Sequence, residues 1–218
     1  MTKREYKTLL PVQQDVLAPE LKDADLLVSA PTGSGKTVAF GISLAPTLLG
    51  DAERFQHVDA PFALVVAPTR ELALQVKREL QWLYEKTGAA FATCVGGMDM
   101  RTERQTLSRG VHIVVGTPGR LRDHIERRSL KMSNLKAVVL DEADEMLDLG
   151  FREDRSEEHT SELRSLAYLV CRLLLEKTKN MYAISSGNKY FLSPYRYTKI
   201  LKIAILPMDQ SNHSSTRF

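Results

Sequence analysis

Asp141-Glu142-Ala143-Asp144 follows directly on the apolar run Ala137-Val138-Val139-Leu140, so the chain must place two adjacent carboxylates at the tip of a buried strand. A strand that is nearly all apolar has both faces covered, and other runs of that kind lie at Leu26 to Ser29, Phe62 to Ala67, Phe91 to Val95 and Val111 to Val115. Between them come helical stretches after Lys36, from Glu71 to Tyr84, from Met100 to Ser108 and from Arg120 to Arg127, with another beginning at Glu142. Leu72, Val76, Leu80 and Leu83 recur on one helical face, which should lie against a sheet. Strand and helix in alternation predict an α/β domain whose mostly parallel sheet is covered by helices on both faces. Ligands then belong at the carboxyl ends of the strands.

The strand Leu26-Leu27-Val28 runs into Ala30-Pro31-Thr32-Gly33-Ser34-Gly35-Lys36-Thr37 and then into a helical stretch. A glycine-rich turn between a strand and a helix N-terminus cradles anions. Its N-H groups, from Thr32 to Lys36, turn inward because Gly33 and Gly35 accept backbone angles that a Cβ would block, and the helix dipole adds positive potential. In a phosphate loop of this pattern Lys36 reaches the β and γ phosphates and the Thr37 hydroxyl ligates a metal. The first position is Ala30 where the general pattern has Gly.

Further motifs stand in order around these two. Pro11-Val12-Gln13 precedes the loop, and Pro68-Thr69-Arg70-Glu71-Leu72, Gly96-Gly97 and Thr117-Pro118-Gly119-Arg120 lie between it and Asp141. Together they resemble the DEAD-box RNA helicases over about Tyr6 to Asp154, and the resemblance implies the RecA-like phosphate-loop domain that comes first in such proteins. It further implies ATP and magnesium as ligands, with Gln13 on the adenine edge and Thr32, Gly33, Ser34, Gly35, Lys36 and Thr37 around the phosphates. Gln14 is the neighbouring alternative to Gln13, and Leu10 stands where the family commonly has Thr. Magnesium falls to Thr37 and, directly or through water, to Asp141, while Glu142 orients and deprotonates the attacking water. Pro68, Thr69, Arg70, Gly97, Thr117, Pro118, Gly119 and Arg120 correspond to residues that grip the RNA sugar-phosphate backbone. Asp144 corresponds to the residue coupling nucleotide state to a Ser-Ala-Thr motif and a second RecA-like domain, neither of which is recognisable in this sequence. Arg70 and Arg120 also fit a second reading as structural ion-pair partners.

Charge divides the chain. Of 30 Lys and Arg and 27 Asp and Glu, residues 1–154 hold 20 and 22, net −2, and residues 155–218 hold 10 and 5, net +5. The basic balance therefore belongs to the tail and says nothing of nucleic-acid binding by the motif-bearing part. Arg155-Ser156-Glu157-Glu158-His159-Thr160-Ser161-Glu162-Leu163 and Leu169-Val170-Cys171-Arg172-Leu173-Leu174-Leu175-Glu176-Lys177 resemble the two ends of a translated sequencing adapter, with Arg164 departing from it. The expected organisation is thus an ATP-binding domain over 1–154, truncated before its end, and an artefactual or unstructured tail over 155–218.

The segment from Gly50 to Pro61 reads as a polar surface loop, and His112 and His124 lack metal-like spacing, so packing or surface roles are expected. Two cysteines, Cys94 and Cys171, indicate neither a disulfide framework nor a zinc site. No apolar stretch is long enough to span a bilayer, and a cytoplasmic location is the expectation. Neither an Asn-Lys-x-Asp guanine reader nor a Leu-Ser-Gly-Gly signature is present, against a GTPase or transporter ATPase. A DNA translocase or a non-catalytic nucleotide- and RNA-binding piece remain the alternatives to a helicase fragment, whose hydrolysis would need the absent second domain.

Overall fold

Alternate residues along each central strand face opposite layers, and this divides the core in two. In the computed structural model the described residues are 8–21, 25–31, 33–143, 145–146, 181–185, 188–191 and 200–205. Helices α1 (Pro11–Asp15), α2 (Lys36–Leu49), α3 (Arg70–Leu83), α4 (Met100–Ser108) and α5 (Pro118–Glu126) alternate with strands β1 (Asp25–Ser29), β2 (Ala63–Val66), β3 (Phe91–Cys94), β4 (Ile113–Gly116) and β5 (Ala137–Leu140). Three further strands follow, β6 (Met181–Ser185), β7 (Asn188–Phe191) and β8 (Ile200–Ile205). The sheet runs β3-β4-β2-β5-β8-β1-β6-β7.

Ala63, Val65, Ile113, Val115, Ala137 and Val139 point to one layer, where Val12 and Val16 of α1, Phe40 and Leu44 of α2 and Val76 and Leu80 of α3 meet them. Leu64, Val66, Val114, Val138 and Leu140 point to the other, against Leu107 of α4, Leu121 of α5 and Met146. Strands apolar on both sides are thereby covered on both sides, which is why they carry no alternation of polar residues. The expected helical face on α3 is present: Val76 and Leu80 are fully buried, and Leu72 and Leu83 are half-buried against the same cluster.

β2, β3, β4 and β5 pair in parallel, as the alternating order requires. Within 155–218, expected from the sequence to be an artefactual or unstructured tail, β6 pairs parallel with β1, and β8 lies antiparallel between β1 and β5. Ile200-Leu201-Lys202-Ile203-Ala204-Ile205 is apolar at all but one position, a composition that a central strand accepts. Both adapter-like runs, Arg155 to Leu163 and Leu169 to Lys177, lie outside the described residues.

Loops are tied to this frame by specific groups. His112 accepts the Ala90 N-H at Nδ1 (2.8 Å) and lies 2.7 Å from the Gln56 carbonyl through Nε2, pinning the 50–61 loop to the sheet edge. The Tyr84 hydroxyl donates to the Gly41 carbonyl at 2.6 Å, joining the end of α3 to α2.

Candidate functional site

β1 ends at Ser29, and α2 begins at Lys36, so the glycine-rich loop occupies the carboxyl end of the sheet where α2 presents its N-terminus. Gly33 and Gly35 have φ of 80° and 84°, the left-handed conformation expected of a cradle, and Gly35 is the N-cap of α2. Lys36 folds back over the loop and donates from Nζ to the Ala30 carbonyl at 2.8 Å. The Ser34 hydroxyl oxygen is buried without a hydrogen-bond partner. An orphaned hydroxyl, a glycine turn at a helix N-terminus and a lysine make a donor set that suits phosphate oxygens. Thr32 lies outside the described residues.

Gln13 is fully buried, not a solvated helix residue. Its Oε1 accepts the Leu10 N-H at 3.0 Å and its Nε2 donates to the Gly35 carbonyl at 3.3 Å. A Cβ on Gly35 would lie 2.5 Å from that Nε2, so glycine is required there by close approach as well as by φ. The exposed Gln14 instead donates to the Leu9 carbonyl at 3.1 Å.

Asp141 leaves β5 with its N-H still bonded to the Val66 carbonyl at 2.9 Å, and it is 4 % exposed. Burial first, and then the neighbouring Glu142 carboxylate, push its carboxyl up to about 6, while the Lys36 ammonium pulls it down. Lys36 and Asp141, far apart in sequence, therefore act on each other in the fold. Glu142 has φ of 51°, a left-handed conformation that a residue with a side chain adopts at a cost of about 1–2 kcal/mol. Strain at this position is a mark of a functional site. Asp144 lies outside the described residues.

A second grouping forms around the turn from β3 to α4. Thr69 caps α3, its hydroxyl accepting the Leu72 N-H at 3.3 Å, and Arg70 beside it donates from Nη1 to the Gly96 carbonyl at 3.1 Å. Gly97 has φ of 75°, and a Cβ there would come within 2.6 Å of Arg70 Nη1. Thr117 is the N-cap of α5 but makes no side-chain capping bond, and buried Pro118 opens the helix with half-buried Gly119 following. Arg120 donates from Nε to Glu103 Oε2 at 2.7 Å and from Nη2 to the Met98 carbonyl. Thus Arg70 and Arg120 both have structural partners, and for Arg120 the partner is an ion pair.

Glu103 and His124 are the residues that sequence reasoning missed as a site. Glu103, 3 % exposed, accepts the Val95 N-H at 3.0 Å through Oε1, and fully buried His124 sets Nε2 2.7 Å from Oε2. Among Arg101, Arg104 and Gln105, Glu103 looks like an exposed helix charge. The available signal is its position four residues before Leu107, the apolar residue that α4 turns to the sheet. Cys94, Glu103 and His124 bring ligand atoms within 4.8 Å of one another, but the Arg120 guanidinium already sits on the carboxylate oxygen a cation would take. Burial foremost, with the Glu103 charge behind it, pushes the Cys94 thiol up to about 12.

No helix among the described residues is long and apolar enough to cross a membrane. A family profile described as DEAD/DEAH box helicase matches residues 10–185. The chain is 45 % identical over 157 residues to the maize (Zea mays) chloroplastic DEAD-box ATP-dependent RNA helicase 3B, covering 71 % of this chain and 21 % of that protein. It is 42 % identical over 149 residues to DEAD-box ATP-dependent RNA helicase CshA of Bacillus licheniformis, covering 68 % and 29 %. Among solved structures, a DEAD box protein from Methanococcus jannaschii matches with TM-score 0.61 and 30 % identity over 80 % of this chain and 49 % of that one. Prp28 from Chaetomium thermophilum bound to ADP matches with TM-score 0.59 and 40 % identity over 68 % and 36 %. The chain spans less than a third of the length of these two curated relatives. With an α/β sheet whose strand ends carry the phosphate loop and the Asp141-Glu142 pair, the chain belongs to the DEAD/DEAH box helicase family and forms a RecA-like domain of it.

Proposed function

We propose that this domain binds magnesium-ATP between the glycine-rich loop and the tip of β5, binds single-stranded RNA through its sugar-phosphate backbone, and turns ATP over only when a second RecA-like domain closes on it. The observation that carries the reading is the buried Asp141 carboxyl at the tip of β5, beside Glu142 and within the field of the Lys36 ammonium from the glycine-rich loop. That arrangement prepares a carboxylate for a cation and a lysine for phosphate in one place. The orphaned Ser34 hydroxyl supports it, and so does the ADP-bound state of the solved relative.

Bound magnesium would neutralise charge building on the β and γ phosphates. The chain's own residues do the rest. Thr37 and Asp141 hold the metal, and Lys36 exchanges its bond to the Ala30 carbonyl for phosphate oxygens. Gln13 carries adenine recognition to the loop through its contact with Gly35. Glu142 orients the attacking water and takes its proton. Thr69, Arg70, Gly97 and Thr117 to Arg120 meet RNA phosphates with helix N-termini and spare guanidinium donors, contacts that position a strand without reading bases. In domains of this kind a charge-stabilising arginine from a partner domain contributes on the order of a thousandfold or more in rate.

The test uses two proteins. The 218-residue chain should bind a fluorescent ATP analogue with little RNA-stimulated turnover and no duplex unwinding. Residues 1–154 joined to a complete second RecA-like domain should hydrolyse ATP, with the activity abolished by Lys36→Ala or Glu142→Gln. Robust unwinding by the chain alone, or full turnover in Glu142→Gln, would overturn the reading.

A further inference from the structure

A cleft of about 800 Å³ opens between α4 and the turn after α5, and five cationic side chains line it: Arg101 and Arg104 from α4, and Arg127, Arg128 and Lys131 from the turn. Asp59 is the one acid in the lining, and its carboxylate faces His57 at 3.8 Å. None of the five cations has an ion pair or a side-chain hydrogen bond with another described residue. Residues 1–154 are net acidic, 20 basic against 22, so this convergence is local and not a consequence of general basicity.

Arg128 supplies an independent observation. It follows the C-cap of α5 with φ of 55°, the left-handed position at a helix end where glycine is favoured. Backbone bonds from Arg128 N to the Ile125 carbonyl and from Ser129 N to the His124 carbonyl, both 2.9 Å, close the turn without its side chain. The turn is closed by its backbone alone, which leaves the exposed Arg128 guanidinium open to a ligand. Arg101, which lines the cleft from the first turn of α4, stands four residues beyond Gly97. Arg101 and Arg104 are exposed one turn apart on α4, about 4.5 Å along its axis.

We propose that this cleft is a second binding site for the RNA sugar-phosphate backbone, receiving nucleotides that run off the surface made by the N-termini of α3 and α5. Four of its five cations are arginines, whose planar fork pairs with phosphate oxygens two at a time. The inference rests on the reading of Thr69, Arg70, Gly97 and Thr117 to Arg120 as the first RNA surface, and strand length separates the two.

The full chain is titrated with oligouridines of about 6 and about 20 nucleotides. Arg128→Gly should melt at or above the parent temperature, because glycine suits φ of 55°, yet bind the long strand about threefold to tenfold more weakly with a salt slope smaller by about one. Arg104→Ala should weaken the long strand likewise. Neither variant should change the affinity for the short strand, whereas Arg70→Ala should weaken both lengths. Unchanged long-strand affinity in Arg128→Gly and Arg104→Ala overturns the cleft, as does equal loss at both lengths. Arg128-dependent binding of polyglutamate in preference to RNA overturns it in favour of an acidic protein partner. Long-strand binding that depends on Arg128 but not on Arg70 removes the first surface and leaves the cleft standing, and no binding at either length removes both.

Discussion

Arg70 and Arg120 hold opposite sides of a single turn: Arg70 Nη1 donates to the Gly96 carbonyl at 3.1 Å and Arg120 Nη2 donates to the Met98 carbonyl, with Gly97 between them at φ of 75°. The N-termini of α3 and α5 are thereby fixed to the start of α4. A guanidinium has five N-H donors, so each arginine can keep its turn contact while offering others to a phosphate. Structural and RNA-contacting roles for these arginines are therefore compatible.

Glu103 underlies this arrangement, because its buried carboxylate serves Arg120, His124 and the Val95 N-H together. Removing it leaves a largely buried guanidinium without its counter-ion, and breaking pairs of this sort costs about 3–5 kcal/mol. Glu103→Leu should lower unfolding free energy by about 3 kcal/mol. Glu103→Gln, which keeps an oxygen for Val95, should cost less. Urea denaturation of both variants checks the order, and equal stability of Glu103→Leu and parent would show that the network is dispensable.

Gly110 tests the amino end of the strands. Its φ is 84°, and a Cβ there would lie 2.1 Å from the Val58 carbonyl oxygen, a backbone atom that cannot swing aside. Gly110→Ala combines left-handed strain of about 1–2 kcal/mol with overpacking of about 1–3 kcal/mol. A drop of at least about 2 kcal/mol in unfolding free energy is expected. A variant as stable as the parent would mean that the loop carrying Val58 yields at little cost.

The fold was legible because its strands are nearly uniform in polarity and its helices are not. The sequence places a helix around Met100 to Ser108 and a strand at Ala137 to Leu140, and α4 and β5 stand there. The phosphate loop was legible because its chemistry is local: strand, glycines, lysine and helix follow within a few residues. The Glu103, Arg120 and His124 network was not, because it joins side chains from α4 and α5 that meet only when both helices pack on one face of the sheet. Arg70 shows the same limit, as a turn carbonyl from another loop is invisible in a pattern of residue types. The strands after residue 180 escaped for another reason: short apolar runs carry no motif to place them.

Gln13 joins the start of α1 to the glycine-rich loop, and its two ends make the proposed adenine contact testable. Gln13→Glu retains the acceptor for the Leu10 N-H but loses the donor to the Gly35 carbonyl and sets a charge against that oxygen. Loss of a buried hydrogen bond with an unsatisfied partner costs about 1–3 kcal/mol, so ATP affinity should fall about tenfold or more. RNA affinity without nucleotide should be unaltered. Fluorescence titration with adenine and guanine nucleotides reads both affinity and base preference, and an unchanged preference would remove Gln13 from adenine recognition.

Asp141 gives the domain a pH dependence whose sign is fixed by its environment. Its carboxyl is raised from 3.8 to about 6 in the fold, so the folded state holds its proton over a range in which the unfolded chain has released it. Stability from this group is fully present below about pH 4, declines as pH rises and is lost above about pH 6, a change of about 3 kcal/mol. Asp141→Asn cannot ionise, so its unfolding free energy relative to the parent should grow by about 3 kcal/mol between pH 4 and pH 7. Magnesium favours the ionised carboxylate, which reverses the trend for binding. Affinity of the parent for magnesium-ATP should weaken as pH falls below about 6, by up to about tenfold per unit, while the Asn variant binds weakly with no such slope. Titrations at matched ionic strength across pH 5 to 8 decide the matter, and a parent profile as flat as that of Asp141→Asn would exclude Asp141 from the metal site.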